Sequence, residues 1–224
     1  MKSSNDRSGT IRKQLVEIGK KLDEKGFVIG PGGNTSARCG QVIYMKASGI
    51  SFESAKTTDY VGVDLKTGKV VDGAKRPTCE ILTHLGCYQV REDIGAVVHS
   101  HPPLSVGYGM LGTTLKPFTP EMVAILCSDV PTIKPIVTSG ETLANEVKKA
   151  IRNHNAVFLA NHGLIVVGAN IREAYYRTLL IEDSVKSVVA AKILGKMRYF
   201  TRREIRSLDA SEFEKYRRKL LRKK

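Results

Sequence analysis

The sequence predicts an α/β fold in which a mixed, largely antiparallel sheet lies between two layers of helices. Two hairpin patterns occur early in the chain, and helical segments alternate with short apolar strands later. The 224 residues are 42% hydrophobic, enough for one substantial core. Early hairpins do not fit a uniform strand-helix-strand series. We therefore expect a three-layer αβα sandwich, with residues 1–224 as a single domain.

The first part of the chain predicts one helix and two hairpins. Between Ile11 and Leu22 the apolar residues recur at helical spacing, and Gly26 follows where a helix would end. Two later pairs of β-rich segments are each separated by a short turn that contains glycine, which is typical of hairpins. The expected hairpin strands are 35–38 with 42–45, and 60–65 with 69–71.

The middle of the chain predicts alternating helices and strands. A helix should begin at Thr78 as its N-cap and continue through Val90. A short apolar strand then ends at His99-Ser100-His101, because two prolines follow. The remaining expected elements are a helix over 141–153, strands over 156–160 and 164–167, and a helix that Asn170 caps and that ends at Leu194.

Much of the charge lies at the C-terminal end. The formal net charge is +14, and residues 192–224 hold thirteen basic and four acidic side chains, a net of +9. Two capping-box patterns, Thr201 with Glu204 and Ser211 with Glu214, predict that this basic segment (about 195–224) is helical. We interpret the charge mainly as a solvated helix face. Nucleic-acid binding is the less favoured alternative, and attraction of anionic substrates is compatible with both.

Composition predicts that the protein is in a reducing compartment. The first ten residues lack the apolar segment of a signal peptide, and no run of eighteen apolar residues occurs. The four cysteines form no CxxC pair, so neither a disulfide framework nor a zinc ribbon is indicated. We expect a cytoplasmic protein with reduced thiols and no membrane partner.

Three histidines are the strongest candidates for a functional site. Side chains at positions i and i+2 of a strand point to the same face, so His99 and His101 can converge on one ion at the end of their strand. His162 lies in a tight turn between two apolar strands and supplies a third imidazole. An open catalytic zinc site uses three protein ligands. The alternative, histidines that only form structural hydrogen bonds, stays open, and it is the interpretation we give to His84 and His154.

Glu80 and a glycine-rich loop add further candidates. A carboxylate near the start of a helix is favoured by the helix dipole alone, but Glu80 could also bind a metal or remove a proton next to a carbonyl. The segment GPGGNTS (30–36) can form a turn whose amides approach an anion, with Asn34 and Ser36 as added donors. Together with the loops at Ser48-Gly49 and Thr78-Cys79, it could hold a phosphate.

Five motifs in one order resemble the class II aldolase/adducin superfamily, the fuculose-1-phosphate aldolase and ribulose-5-phosphate 4-epimerase family. Each motif is weak alone, but the combination is specific, and the similarity runs from the first helix to about Leu194. The motifs are GNTS at 33–36, ASG at 47–49, PTCE at 77–80, AVVHSH at 96–101 and NHGL at 161–164.

The resemblance implies a site for a metal and a phosphorylated sugar. It implies Zn2+, with Mn2+ or Co2+ as alternatives, bound by His99, His101 and His162, and Glu80 as fourth ligand or catalytic base. Where Cys79 stands the family usually has a serine, so a thiol, a weaker donor, replaces one phosphate-binding hydroxyl, although the amide there could still bind. The implied phosphate-binding residues are Asn34, Ser48, Gly49, Thr78 and Cys79.

Glu121 is the second acid/base candidate. In a similar segment fuculose-phosphate aldolases have a tyrosine, the epimerases an aspartate and related dehydratases a glutamate. Glu121 could equally be only a helix-start carboxylate after Thr119-Pro120. The reaction class therefore stays open among aldolase, dehydratase, epimerase and decarboxylase.

The resemblance also implies a fourfold-symmetric homotetramer with active sites between subunits, so Glu121 would act across an interface. The expected function is a zinc-like, metal-dependent lyase that cleaves a small phosphorylated ketose through a metal-stabilised enediolate. An adducin-like interaction module without catalysis is less favoured, because the three histidines and Glu80 are retained.

Overall fold

The computed structural model describes residues 4–137 and 140–222, and eight strands in this part form one sheet. The strands are β1 (Asn34–Cys39), β2 (Val42–Lys46), β3 (Tyr60–Asp64), β4 (Val70–Asp72), β5 (Ala96–Ser100), β6 (Thr132–Ile133), β7 (Ala156–Leu159) and β8 (Gly163–Gly168). Their order across the sheet is β4-β3-β2-β1-β5-β8-β7-β6. Neighbouring strands are antiparallel except β6 and β7, which are parallel. The sheet is therefore mixed and largely antiparallel, as predicted.

Helices cover both faces of this sheet. They are α1 (Ser4–Glu24), α2 (Ile81–Val90), α3 (Pro103–Gly109), α4 (Glu141–Ile151), α5 (Ile171–Leu194), α6 (Arg202–Ala210) and α7 (Glu212–Arg222). A 3-10 turn (Thr57–Asp59) and a π-helical turn (Met122–Leu126) complete the helical structure of the described residues.

The alternation of side chains along each strand produces two separate cores. On β5, Val97 packs in a cluster with apolar residues of α2 and α4, whereas Ala96 and Val98 pack against α1 and α5. Further along the sheet, Phe158 of β7 joins the second face, where α3, α5 and the π-helical turn lie. Successive strand residues point to opposite faces, so both faces must be covered by helices. The three-layer αβα prediction is confirmed.

The N-cap of helix α2 lies two residues later than predicted. Thr78 is not the N-cap, because the chain at 77–78 still runs beside β2: Pro77 pairs with Ala47, and the Thr78 amide donates to Lys46 O at 3.1 Å. The N-cap is Glu80, and the first helical residue is Ile81. This extended pairing brings Glu80 to the edge of the sheet before the helix turns away.

Several shorter elements had no prediction. Helix α3 begins at Pro103, so the prolines that end β5 also start a helix, which suits proline in a first helical turn. Strand β6 has two residues, too few for a periodic signal.

Two predicted helix caps are confirmed. The Oδ1 of Asn170 accepts from Glu173 N at 2.8 Å, and Thr201 with Glu204 forms the predicted capping box.

Within 4–137 and 140–222, every helix is too short or too polar to span a lipid bilayer.

Candidate metal-binding and catalytic site

Three histidines meet where β5 ends and the β7–β8 turn begins. His99 is in β5, opposite Ile165 of β8, and His101 follows directly after the strand. His162 lies in the turn between β7 and β8, next to Asn161, which adopts a left-handed backbone with φ 59°. Asparagine tolerates this conformation better than most residues. The turn therefore places His162 beside the two histidines of the neighbouring strand.

The three imidazoles form one cluster. His101 Nε2 lies 3.1 Å from His99 Nε2, and one ring nitrogen from each of the three histidines falls within 4.8 Å of the others. His99 Nδ1 lies 3.2 Å from the carbonyl oxygen of Leu164, to which it donates a hydrogen bond. This hydrogen bond from Nδ1 to a backbone carbonyl fixes the orientation of the ring and leaves the lone pair of Nε2 free, as is common for metal-binding histidines.

This arrangement fits a divalent transition metal. Two nitrogens at about 2.0–2.1 Å from a tetrahedral zinc ion are about 3.3 Å apart, close to the 3.1 Å between His99 and His101. Burial lowers the pKa of His101 to about 4 and also lowers the pKa of His162. Both rings are therefore neutral near pH 7, which is the form that binds a metal.

Glu80 faces the histidine cluster from the start of α2. Its Oε2 lies 3.2 Å from His99 Nε2, and its Oε1 lies 3.7 Å from His162 Nε2. Burial by itself would raise the pKa of Glu80, but electrostatic interaction with the His99 ring and a 2.8 Å hydrogen bond from Asn34 Nδ2 outweigh it and lower the pKa to about 2. The carboxyl group is therefore an anion that points at the cluster.

A chain of buried hydrogen bonds through β1 and α2 fixes the orientation of Glu80. Asn34 Nδ2 donates to Glu80, so Asn34 Oδ1 accepts from His84 Nε2. His84 Nδ1 then accepts from the Ser36 hydroxyl at 2.6 Å, which in turn accepts from Tyr88 OH at 2.7 Å. Burial lowers the pKa of His84 to about 4, consistent with this neutral form.

This chain assigns His84 the structural role that we predicted. The suggestion that Ser36 donates to an anion is wrong, because Ser36 is fully buried against α2. The spacing of these residues in the sequence is consistent with the contact between β1 and α2. Asn34 and Ser36 are two residues apart on a strand, and His84 and Tyr88 are four residues apart on a helix. Each pair therefore lies on one face, and the two faces meet.

The cluster opens into a cavity of about 590 Å³. All five residues that the resemblance implied for phosphate binding line it, together with the three histidines and Glu80. We did not predict that Lys46 and an apolar wall of Pro135, Ile136, Val137 and Leu143 would also line it. A lysine inside a strand and a short apolar run are both common in proteins, so neither pattern predicts that the residues line a cavity.

Comparison with known proteins identifies the family. Residues 13–189 match the family described as Class II Aldolase and Adducin N-terminal domain. The chain belongs to the class II aldolase and adducin family. Within this family it is an aldolase-type lyase, since curated relatives about 30% identical to it are named as aldolases.

Two such relatives and one solved structure are similar to this class II aldolase over most of its length. It is 32% identical over 210 residues to a 5-deoxy-D-ribulose 1-phosphate aldolase from Bacillus thuringiensis, covering 92% of this chain and 96% of the relative. It is 30% identical to an L-fuculose phosphate aldolase from Methanocaldococcus jannaschii, covering 83% and 99% of the two chains. The structure of an L-fuculose 1-phosphate aldolase superposes with a TM-score of 0.84 at 30% identity, covering 97% and 98%.

Glu121 lies apart from the cavity of this class II aldolase chain. It directly precedes the π-helical turn, and its side chain is 48% exposed. Its Oε1 is 3.5 Å from Arg217 Nη1 of α7, and it is not among the residues that line the cavity. Within one chain, therefore, the structure brings the predicted site residues together at the cavity except Glu121 and Ser36.

Gly163 allows the histidines of this class II aldolase to approach each other. A Cβ atom at Gly163 would lie 2.6 Å from Ser100 O and 2.6 Å from His101 Cδ2. We expect Gly163→Ala to lower the free energy of unfolding by about 1–3 kcal/mol, because backbone must move to relieve the clash. Displaced imidazoles should also weaken divalent-metal binding by about 10- to 100-fold. Chemical denaturation and a metal titration measure the two effects.

The matched control is Gly107→Ala. Gly107 lies in α3, and a Cβ atom there would meet nothing within 4 Å. This change should leave metal binding unaltered and stability unchanged or slightly raised, because alanine is the better helix former. Equal metal affinity in the two variants would contradict the role given to Gly163.

Proposed function

We propose that this class II aldolase reversibly cleaves a small ketose 1-phosphate, using a divalent metal for which zinc is the first candidate. The observation that carries the proposal is the meeting of three imidazoles and one ionised carboxylate at the wall of a single cavity. A histidine triad with a nearby carboxylate is typical of an open catalytic metal site. The relatives named above act, by their names, on phosphorylated sugars.

In the proposed site His99, His101 and His162 hold the ion. When bound, the ion supplies positive charge that stabilises negative charge developing on the substrate oxygen. Glu80 is proposed as the base that takes a proton from the carbon next to the carbonyl, and as an additional ligand before substrate binds. Its hydrogen bond from Asn34 and its position 3.2 Å from His99 Nε2 support this role, since a base must be correctly oriented at the site.

The loops around the cavity are proposed to bind the phosphate. Ser48, Gly49, Thr78 and Cys79 line the cavity and supply amides, hydroxyls and a thiol. The side-chain amide of Asn34 already donates from Nδ2 to Glu80 and accepts at Oδ1 from His84. We therefore propose that Asn34 orients Glu80 and does not contact the phosphate directly. The apolar wall that includes Ile136 and Leu143 suits a substrate whose far end is a methyl group.

We further propose a cytoplasmic homo-oligomer, with a tetramer as the first expectation. Glu121 is half exposed and outside its own chain's cavity, which is compatible with action in the cavity of a neighbouring copy. The basic α6 and α7 then form an electropositive surface of the enzyme, and a nucleic-acid role is not needed to account for them. The exposed thiols Cys79 and Cys127 suit a reducing compartment.

The test is turnover of two candidate substrates. Metal-loaded protein is incubated with L-fuculose 1-phosphate and with 5-deoxy-D-ribulose 1-phosphate, and release of dihydroxyacetone phosphate is followed by coupled NADH oxidation. We expect cleavage of at least one ketose, its loss after chelation and its return with zinc, manganese or cobalt ions. NMR of the product mixture separates the alternatives: an epimer or a dehydrated ketone as the main product would replace the aldolase proposal. Decarboxylation is tested separately with a carboxylated sugar phosphate, from which release of carbon dioxide would replace it.

A further inference from the structure

The C-terminal segment, residues 196–221, lies against the part of the chain that carries Glu121. Helices α6 and α7 both contact the π-helical turn that follows Glu121. Met197 packs against the buried cluster to which this turn belongs. The end of α7 is attached to the start of α5, because Asn170 Nδ2 donates to Leu221 O at 3.2 Å. The C-terminal segment is therefore docked on the body of the domain, beside the turn.

Two polar contacts join the C-terminal segment to the chain on either side of Glu121. Before Glu121 in the sequence, the amide of Phe200 donates to Pro117 O at 3.3 Å. After it, Arg218 Nη1 lies 4.0 Å from Cys127 Sγ. Both contacts are long, but they come from opposite ends of the C-terminal segment. Together they attach both ends of the segment 117–127 to it.

Arg217 contacts Glu121 itself. Its Nη1 lies 3.5 Å from Glu121 Oε1 and 3.4 Å from Glu214 Oε2. Glu214 is nearly one turn earlier on α7 and is only 7% exposed, and no hydrogen bond reaches its Oε2 from the described part of the chain. A buried carboxylate is unfavourable without a cation beside it. Glu214 therefore favours the position of the Arg217 guanidinium group next to Glu121.

The core side of the π-helical turn is fixed by two other side chains. Arg177 Nε donates to Ile125 O at 2.7 Å, and Asn155 Nδ2 donates to Leu126 O at 2.6 Å. Helical turns of this type are rare and occur frequently at functional sites. Because the backbone of the turn is held from the core, the main freedom left to Glu121 is that of its side chain, which Arg217 contacts.

We propose that Arg217 is a positioning residue for Glu121, and that the C-terminal helices present this carboxylate to the cavity of a neighbouring copy. The guanidinium group holds the carboxylate in one orientation, and the packing of α7 on the turn fixes the guanidinium group. The inference rests on the proposed function, because it assumes that Glu121 takes part in turnover. It assigns to the basic helix α7 a role that its composition did not indicate.

The test uses Arg217→Gln, Arg217→Lys and a control on the same helix, Lys219→Gln, whose side chain is exposed. Turnover of a ketose phosphate is measured with metal-loaded protein. Arg217→Gln should lower kcat about 10- to 100-fold, the effect of misplacing a reacting group by about 1 Å. KM should change little, because the histidines and the cavity loops are untouched. Arg217→Lys keeps the charge and should recover part of kcat, and Lys219→Gln should match the wild type.

A double variant distinguishes positioning of Glu121 from general damage to the enzyme. If Arg217 acts through Glu121, then Glu121→Gln with Arg217→Gln should have the same kcat as Glu121→Gln alone, because the two losses are not independent. Losses that multiply in the double variant would overturn the inference. Wild-type kcat in Arg217→Gln would overturn it as well.

Hydrogen exchange tests the contact without any need for turnover. Arg217→Gln should speed amide exchange in the segment 117–127 at least about twofold, because the C-terminal segment is then held less firmly against it. Lys219→Gln should leave this exchange unchanged. Equal exchange in Arg217→Gln and the wild type would overturn the inference. Absence of turnover in every protein, wild type included, would instead reject the proposed function, and the exchange measurement would still decide whether Arg217 holds the segment.

Discussion

His101→Ala is expected to abolish divalent-metal retention and to lower turnover of the ketose phosphate by about 10³-fold or more. His101 Nε2 is 3.1 Å from His99 Nε2, so its removal deletes one of three convergent nitrogens. A catalytic metal contributes several kcal/mol of transition-state stabilisation, and each 1.4 kcal/mol is about tenfold in rate. Mass spectrometry of the protein measures the expected loss of metal, and the coupled assay measures the expected fall in turnover.

His154→Ala is the matched control for this substitution. His154 lies after α4 and does not line the cavity. We expect this variant to keep the metal and full turnover. A His101→Ala protein with full metal content and full activity would mean that the histidine cluster is not the catalytic centre. Thermal unfolding of both variants distinguishes loss of the metal site from loss of the fold.

Glu80→Gln is expected to lower kcat by about 10²- to 10⁴-fold, the usual contribution of a positioned acid/base group. Glutamine has the same shape, and its amide oxygen can still accept the hydrogen bond from Asn34, which is 2.8 Å long in the structure. Folding should therefore be retained, and the three histidines should still bind the metal. The lost property is the negative charge that accepts the proton.

A partial reaction measures that proton transfer directly. In D2O, metal-loaded wild-type protein should exchange one carbon-bound proton of dihydroxyacetone phosphate without any aldehyde present, which NMR detects. Glu80→Gln should lose this exchange. Glu121→Gln should keep it, because Glu121 lies outside its own chain's cavity and is not the group proposed to take this proton. Retained exchange in Glu80→Gln at the wild-type rate would exclude Glu80 as the base.

The sequence was informative wherever a local pattern determines a local structure. The hairpin that joins β1 and β2, the Asn170 cap and the histidines at the end of β5 all follow from spacing and turn chemistry. Five short motifs, read in order, were sufficient to indicate the family. Such features depend on neighbours in the chain, so a single sequence contains the information that specifies them.

Features that depend on distant contacts could not be predicted. Thr78 has the composition of an N-cap, but its amide pairs with β2, so the helix starts later. Lysine is normally solvated, and nothing near Lys46 in sequence signals that Pro31 and Ile50 surround its ammonium group. The parallel pairing of the two-residue strand β6 with β7 likewise depends on packing alone.

The buried hydrogen-bond chain behind Glu80 separates reactivity from substrate choice. The carboxylate is held by Asn34, and through it by His84, Ser36 and Tyr88, all on one strand and one helix. The surfaces that would recognise a sugar are loops and the apolar wall on the other sides of the cavity. Loop residues can therefore be exchanged without disturbing the orientation of the base. The scaffold is thus suited to acquiring new substrates while its proton-transfer apparatus stays intact.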